Sequence, residues 1–251
     1  MTQRTLDGMD AAALAAALGV PGVELFARVS STMDEAHRLG TRGATAGTVV
    51  IADAQTAGRG RGGKRWSSAE HLGLWMTILE RPDTASGLDV LAIRLGLHAA
   101  PVLERFAGAR VLIKWPNDLY SASRKLAGVL VEARWRAQVP EWVAIGIGVN
   151  LASPPELETA SGLLPGTRRS AVVLALVPEL RAAAAARGPL TAAELAEFSR
   201  RDYARDRRCT KPAAGIAQGI TSDGALIITG EHGVAHFRAG SIEFAAGVEA
   251  T

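Results

Sequence analysis

The chain has 251 residues, of which 48% are hydrophobic and 21% are charged, a balance typical of a folded protein rather than a disordered one. Its formal net charge of +3 is a mild excess that does not by itself establish nucleic-acid binding. The single cysteine, Cys209, excludes an intrachain disulfide and any metal site built from several thiolates, and it fits a reducing compartment. No apolar signal segment follows the polar start MTQRTLDGMD, so we expect a cytoplasmic protein without a membrane anchor.

Two short helices are predicted near the start of the chain. The first, AAALAAAL, is preceded by Asp10 as its N-cap and stops at Gly19. The second begins at Ser31 or Thr32, either of which can cap it, and is expected to stop at Gly40.

A glycine- and arginine-rich loop, GRGRGGKRW (residues 58–66), lies between two predicted buried strands, GTVVIA and LGLWMTILE. Glycine lets the backbone approach a ligand, and successive backbone N–H groups can form a nest for an anion. Arginine adds bidentate recognition of phosphate or carboxylate. A solvated basic loop or a nucleic-acid contact would have the same composition, so this loop alone indicates phosphate binding without establishing it.

The middle of the chain alternates between helix and strand. A long amphipathic helix is predicted over residues 87–108, with Pro101 inside it. ARVLIKWPNDLYSASRKLAGVLVEARW predicts a strand, a turn at residues 116–118, a loop and a second strand. A third strand, EWVAIGIGVNLA, follows a turn that Pro140 marks, and two more helices come after it. Short connections between the strands favour an antiparallel or mixed sheet.

The C-terminal tail changes character near Arg205. Short apolar runs are separated by Ser-Asp-Gly, Glu-His-Gly and Ala-Gly turns, which predicts a small β barrel or meander. We therefore expect an α+β protein in two parts, a main domain over residues 1–204, with a mixed sheet and packed helices, and a small β domain over residues 205–251.

Three further segments place polar residues where predicted strands begin or end. They are KWPNDL, with Lys114, Asn117 and Asp118; RKLAGVLVE, with Lys125 and Gly128; and GIGVN, with Asn150. Taken singly, they have plain interpretations: Lys114 and Asp118 could pair across a turn, and Lys125 could be a solvated strand-end lysine. Together with the loop, they could converge on one site.

In this order, the four segments resemble the signatures of the biotin protein ligases, the biotin–[acetyl-CoA-carboxylase] ligases. The tail is similar to the family's small SH3-like C-terminal domain. The resemblance implies the class II synthetase-like biotin/lipoate ligase catalytic domain. Fewer than thirty residues precede Ser30, so we expect a short form without the N-terminal DNA-binding domain that some members carry.

The resemblance implies a reaction in two steps. The biotin carboxylate attacks the α-phosphate of ATP, giving biotinyl-5′-adenylate and pyrophosphate. A lysine of a biotin carboxyl carrier protein or carrier domain then attacks the adenylate and releases AMP. The expected ligands are ATP, Mg²⁺ and biotin, and we expect a monomer or homodimer that binds neither nucleic acid nor membrane.

Roles follow from the same resemblance. Lys125 and Arg61 are expected to be catalytic, and Mg²⁺ is expected to arrive with ATP, near Asp118, rather than at a fixed protein site. The residues expected to bind biotin are Ser31, Thr32, Gln55, Arg59, Gly60, Arg61, Lys125 and Gly128. Those expected to bind the nucleotide are Gly63, Trp66, Lys114, Asn117, Asp118 and Asn150.

The sequence departs from the family pattern at three positions. Met33 stands where asparagine is common, and Gly62 and Lys64 stand where arginine is common. Methionine cannot replace the polar contacts of asparagine, and lysine lacks the planar fork of arginine. Three other hypotheses remain at this stage: a lipoate–protein ligase of the same superfamily, a DNA-binding regulator and an inactive homologue.

Overall fold

A computed structural model describes residues 4–68, 70–153 and 159–245 of the chain. The strands are β1 Thr5–Leu6, β2 Met9–Asp10, β3 Val23–Val29, β4 Thr48–Gln55, β5 Gly73–Glu80, β6 Val111–Lys114, β7 Asp118–Ser121, β8 Arg124–Arg136, β9 Val139–Asn150, β10 Arg208–Lys211, β11 Gly215–Ile220, β12 Leu226–Gly230, β13 Gly233–Phe237 and β14 Glu243–Phe244. The α-helices are α1 Ala11–Leu18, α2 Thr32–Thr41, α3 Leu91–Ala107, α4 Arg169–Ala185 and α5 Ala192–Arg201. None of the described helices is long and apolar enough to cross a membrane.

The central layer is a seven-stranded sheet in the order β3-β4-β5-β9-β8-β7-β6. The β3–β4 pair is parallel and the other pairs are antiparallel, so the predicted mixed sheet is confirmed. Successive residues of β4 serve opposite faces: Val49 and Ile51 belong to the large core that includes residues of α3 and α4, whereas Val50 packs with Met33 under α2. The sheet is therefore covered on both faces, and its strand ends are left to form a site.

Helix caps follow the sequence closely. Asp10 caps α1 by accepting from the backbone N–H of Ala13 at 2.8 Å, and Gly19 ends the helix in the left-handed conformation, as predicted. The end predicted for α2 is wrong, because the helix continues through Gly40 to Thr41. A Cβ at position 40 would lie 2.8 Å from the Trp142 ring, so close packing is the reason for glycine there.

Two hairpins differ from the prediction for the middle of the chain. The β7–β8 hairpin replaces the expected loop, and the β8–β9 hairpin replaces the turn expected at Pro140. The predicted loop contains strand β7, which joins β8 through Ala122 and Ser123, both at positive φ. Such turns normally carry asparagine and glycine, so alanine and serine at this turn give no sequence signal for a hairpin. Pro140 lies inside β9 rather than at a turn, opposite Trp135, where the register of the β8–β9 pair shifts. Strand β3 was also missed, because its exposed and buried residues do not alternate strictly.

The tail forms a five-stranded antiparallel sheet in the order β13-β12-β11-β10-β14. The predicted C-terminal β domain is thus present, and its closure into an SH3-like barrel stays a prediction, as does the boundary at residue 205. The buried indole of Trp115 donates from Nε1 to the carbonyl of Gly224 at 2.9 Å. That bond ties the turn before β12 to the end of β6 and brings the tail beside the main sheet.

Candidate active site

A cleft of about 630 Å³ opens where the ends of several strands meet. Its lining comes from the start of α2, the end of β4, the Gly-Arg loop, β5, the turn between β6 and β7, and the middle of β8 and β9. Residues 239–243 of the tail close the remaining side. The cleft therefore joins the loop with the three other segments that the sequence singles out.

Twelve of the fourteen residues expected to bind biotin or nucleotide line this cleft. They are Ser31, Thr32, Gln55, Arg59, Gly60, Arg61, Trp66, Lys114, Asn117, Asp118, Lys125 and Gly128. Gly63 and Asn150 lie outside the lining. Asn150 is buried, and its Nδ2 donates to the carbonyl of Lys125 at 3.1 Å, so here it holds the backbone of Lys125 in place. Its contact with a nucleotide stays a prediction.

Lys125 lies at the centre of the cleft wall. Its Nζ is 2.8 Å from Oδ1 of Asp118 and 4.7 Å from the centre of the Trp66 ring. Among the described residues, the pairing of Lys114 with Asp118 that a turn could have produced is not formed; Asp118 pairs instead with Lys125 on the neighbouring strand. A cation held by a carboxylate and an aromatic face is well placed to receive an anionic ligand.

Trp66 lies against two strands that carry glycine where it touches them. A Cβ built on Gly128 would lie 2.8 Å from the Trp66 ring, and one built on Gly148 would lie 2.7 Å from it. Any other residue at either position would displace the indole. The buried Nε1 of Trp66 has no hydrogen-bond partner among the described residues, which leaves a donor inside the site.

Two cations in the cleft are only partly hydrated. Burial lowers the pKa of Lys114, an effect that Asp118 opposes and Lys125 strengthens. The Nζ of Lys114 lies 5.4 Å from the Tyr120 ring and 5.3 Å from the Phe244 ring. Burial also lowers the pKa of Arg61, again opposed by Asp118. Desolvated positive charge of this kind interacts strongly with phosphate or carboxylate.

The Gly-Arg loop folds back on itself beside these cations. Gly60 donates its N–H to the carbonyl of Lys64 at 2.7 Å, and Gly62 and Gly63 take positive φ at the tip. Arg59 extends from the loop to the scaffold, where its Nη2 lies 3.0 Å from Oδ1 of Asp34 and 3.1 Å from Oε2 of Glu132.

The part of the lining at the start of α2 and the end of β4 carries neutral hydrogen-bonding groups, and we call it the neutral end. The Oε1 atom of Gln55 accepts from the backbone N–H of Thr32 at 2.8 Å. The Ser31 hydroxyl accepts from the backbone N–H of Met33 at 3.2 Å and so caps α2. Met33 lines the cleft and is 3% exposed, and its Cε would lie 2.8 Å from a Cβ on Gly146. An apolar wall therefore stands where an asparagine would offer polar contacts.

Several lining residues were missed by sequence reasoning. Tyr120 directly follows the KWPNDL segment and Gly148 lies within GIGVN, so the motifs could have suggested them. Thr77 lies in the middle of an apolar strand, and residues 239–243 are about ninety positions from the last motif, so no local signal marks them.

Carboxylates that could hold a metal are few. No group of three or more His, Cys, Asp or Glu side chains suited to a metal is found in the described part of the chain. Asp118 and Glu243 line the cleft. A Mg²⁺ ion near Asp118 would fit only if phosphate oxygens and water supplied most of its ligands, which is how proteins usually bind Mg²⁺ with a nucleotide.

Comparison with known proteins agrees with this arrangement. The biotin/lipoate A/B protein ligase family matches residues 25–150. The biotin–[acetyl-CoA-carboxylase] ligase of Paracoccus denitrificans is 34% identical over 83% of this chain and 95% of its own length. The bifunctional ligase/repressor BirA of Bacillus subtilis is 38% identical over 51% of this chain, and the match spans 39% of that protein.

A biotin protein ligase from Aquifex aeolicus, solved in complex with biotin and ATP, has a similar structure. The match has a TM-score of 0.72 and 25% identity, and it covers 88% of this chain and 97% of that one. Because the family pattern spans half of the chain and a relative is covered almost end to end, this chain belongs to the biotin/lipoate A/B protein ligase family.

Proposed function

We propose that this protein is an ATP-dependent biotin protein ligase, a biotin–[acetyl-CoA-carboxylase] ligase. It activates biotin as biotinyl-5′-adenylate and transfers it to a lysine of a biotin carboxyl carrier protein or carrier domain. The observation that carries this proposal is the position of Lys125, between a neutral end of the cleft at Thr32 and Gln55 and a cationic end at Arg61 and Lys114. The names of the relatives support the same activity.

In the first step, two anions must approach each other. A biotin carboxylate oxygen attacks the α-phosphorus of ATP, and the bond to the β-phosphate oxygen breaks as pyrophosphate leaves. Lys125 neutralises the carboxylate and the α-phosphate, and Arg61 adds positive charge beside the phosphate chain. Fixed cations aimed at developing charge lower the barrier without having to reorganise.

In the second step, the amine of the carrier lysine attacks the acyl carbon of the adenylate. An amide bond forms, AMP leaves and the amine loses a proton. Lys125 remains beside the leaving phosphate and stabilises its charge, while the Gly-Arg loop shields the mixed anhydride from water.

The nucleotide occupies the side of Trp66, Lys114, Asn117 and Asp118. Trp66 offers an aromatic face and an indole N–H that has no partner among the described residues, and Lys114 offers charge toward the phosphates. Asn117 donates from Nδ2 to the carbonyl of Val129 at 2.8 Å, so its contribution there is to shape the wall. Asp118 would hold the Mg²⁺ that accompanies ATP, and the ion would supply positive charge to the phosphates.

The wider setting follows the sequence prediction. We place the protein in the cytoplasm, as a monomer or homodimer, with a carrier protein as its macromolecular partner and no nucleic acid. The lipoate ligase and the DNA-binding regulator are not favoured, because the relatives covered nearly end to end are named for biotin.

The decisive experiment incubates the purified protein with labelled biotin, ATP, Mg²⁺ and an isolated biotin carboxyl carrier domain. We expect label to appear on the carrier and pyrophosphate exchange to depend on biotin. Labelled lipoate with a lipoyl carrier domain serves as the control. Labelling of the lipoyl carrier alone would show that the rival activity is correct.

A further inference from the structure

A chain of hydrogen bonds crosses the neutral end of the cleft and ends on two residues outside every sequence motif. The hydroxyl of Thr77 donates to that of Thr32 at 2.8 Å, and Thr32 donates to Oε1 of Gln55 at 3.2 Å. Nε2 of Gln55 donates to the Ser68 hydroxyl at 2.7 Å, and Ser68 donates to the carbonyl of Trp66 at 3.3 Å. We call these four side chains the Thr77–Ser68 relay.

Backbone groups set the direction of every proton in the relay. The backbone N–H of Thr32 can only donate, so the atom of Gln55 that faces it at 2.8 Å is Oε1. Oε1 can only accept, so the Thr32 hydroxyl donates to it and takes its own hydrogen bond from Thr77. At the other end the carbonyl of Trp66 can only accept, which directs the proton of Ser68.

Because the relay is buried, losing any one of its hydrogen bonds costs free energy. Thr77 is 0%, Thr32 4% and Ser68 6% exposed, and buried hydroxyls that lose a partner are rarely compensated by water. Once the relay is formed, one N–H of Gln55 and one lone pair of the Thr32 hydroxyl are left over. Both side chains line the cleft, so those two groups are available to a ligand.

We propose that Thr77 and Ser68 are positioning residues that determine which ring the cleft accepts. The inference rests on the proposed function, since it assumes that the biotin ring binds at Thr32 and Gln55. A cyclic urea offers an oxygen to the N–H of Gln55 and an N–H to the lone pair of Thr32. A dithiolane ring offers neither, and would leave both protein groups buried without partners. The relay therefore selects a cyclic urea and rejects a lipoyl ring.

The relay also reaches the base of the Gly-Arg loop. A Cβ on Gly58 would lie 2.6 Å from the Ser68 hydroxyl and 3.0 Å from Nε2 of Gln55, so only glycine fits there. Trp66 donates its backbone N–H to the carbonyl of Gly58 at 2.9 Å. The residues that face the ring and the base of the Gly-Arg loop are therefore both in contact with the hydroxyl of Ser68.

The test uses three variants of the full chain. Thr77→Val keeps the shape and removes the donor, Thr77→Ser restores the hydroxyl, and Ser68→Ala cuts the other end. Thr48→Val is the matched control, because Thr48 is also buried in the main sheet and its hydroxyl donates only to the carbonyl of Thr45, at 2.8 Å. Initial rates of pyrophosphate exchange are measured with biotin, with desthiobiotin, which keeps the cyclic urea, and with varied ATP.

We expect Thr77→Val and Ser68→Ala to raise the KM for biotin and for desthiobiotin equally, on the order of tenfold, the effect of one hydrogen bond. The kcat, the KM for ATP and the enzyme with Thr48→Val should stay near wild type, and Thr77→Ser should recover most of the affinity. An unchanged KM for biotin in both variants, or an equal rise in the KM for ATP, would overturn the relay. Absence of biotin-dependent exchange in the wild-type protein would instead refute the proposed function.

Discussion

Lys125 and Asp118 hold each other at the centre of the cleft, and the strength of that pair matters for catalysis. Their side chains are 31% and 25% exposed, so solvent screens the pair and its net contribution to stability is about 1 kcal/mol at most. An arriving carboxylate and phosphate can therefore draw Lys125 away at little cost. On the proposed mechanism, Asp118 would then be free to face the phosphates of ATP and the Mg²⁺ that accompanies them.

Lys125→Gln tests this residue. We expect the variant to fold and to bind biotin, but to lose biotin-dependent pyrophosphate exchange by about two orders of magnitude or more, the scale of one preorganised charged donor. Arg136→Gln, at an exposed position of the β8–β9 hairpin, is the control and should exchange normally. Near-normal exchange in folded Lys125→Gln would remove Lys125 from the first step.

Among the elements, the Gly-Arg loop is held by hydrogen bonds within itself, yet some of its cations have no carboxylate partner among the described residues. Arg59 is paired with the scaffold, whereas Arg61 and Lys64 face the cleft without a carboxylate partner within salt-bridge distance among the described residues. Glycines make the loop costly to order, and its cations repel one another until an anion arrives. Ligand binding should therefore tighten the loop.

Proteolysis of the loop measures this tightening. With biotin and ATP present, trypsin should cut after residues 59–65 more slowly than without them, because the cations are then held by the adenylate. Arg61→Gly removes a closing contact and leaves Lys125 in place, so adenylate should form and escape sooner. Equal cleavage rates with and without ligands, together with unchanged adenylate release, would show that the loop is not a lid.

The junction between α5 and the tail contains a carboxyl group, that of Asp202, whose pKa is raised. Burial raises the pKa of Asp202 to about 6, although the backbone N–H of Ala204 donates to it at 2.8 Å. Its other oxygen, Oδ2, is buried without a partner among the described residues. Because the pKa in the folded state lies above the unfolded value, the stabilisation is complete below about pH 4 and is lost as the pH rises through 6.

Asp202→Asn should remove that dependence, since the amide resembles the protonated acid and keeps the acceptor for Ala204. Urea unfolding at pH 5 and pH 8 would measure it. We expect the variant to gain stability relative to wild type at pH 8, by up to about 3 kcal/mol, and to gain about half as much at pH 5. The same difference at both pH values would contradict the titration of Asp202.

For the whole molecule, the important feature is that the C-terminal sheet completes the cleft. Phe244 lies 5.3 Å from Lys114, and the guanidinium of Arg207 lies 3.7 Å from the centre of the Phe244 ring. Tyr203, which stacks on Tyr120 with ring centres 4.5 Å apart, meets the Phe244 ring edge-on with ring centres 5.7 Å apart. These contacts join the tail to the cationic end of the cleft, and the neutral end at Thr32 and Gln55 is built from the main sheet and α2.

Phe244→Ala should therefore raise the KM for ATP several-fold and leave the KM for biotin nearly unchanged, because Lys114 loses one of its two aromatic neighbours. Phe237→Ala, in β13 of the same sheet, is the matched control, because the rings found near Lys114 among the described residues are those of Tyr120 and Phe244. If biotin affinity fell as much as ATP affinity in Phe244→Ala, the tail would not serve the nucleotide end alone.

The sequence by itself determined the family, the fold class and most of the cleft. The segments around Lys114, Lys125 and residues 58–66 are contiguous, and each carries its own chemistry in residue type and spacing. Helix caps such as Asp10 could be predicted for the same reason, because a cap acts within one turn of chain.

Only the tertiary structure decided how these pieces act on one another. Strand register places Lys114 directly opposite Asp118 and Lys125 opposite Tyr120, yet the ion pair joins Lys125 to Asp118. The turn at Ala122 and Ser123 that brings β8 back beside β7 has no local signal in the sequence. Thr77 looks like an ordinary strand residue until packing places it against the start of α2. Contacts between residues far apart in the chain depend on how strands pair and layers pack, and no local pattern records them.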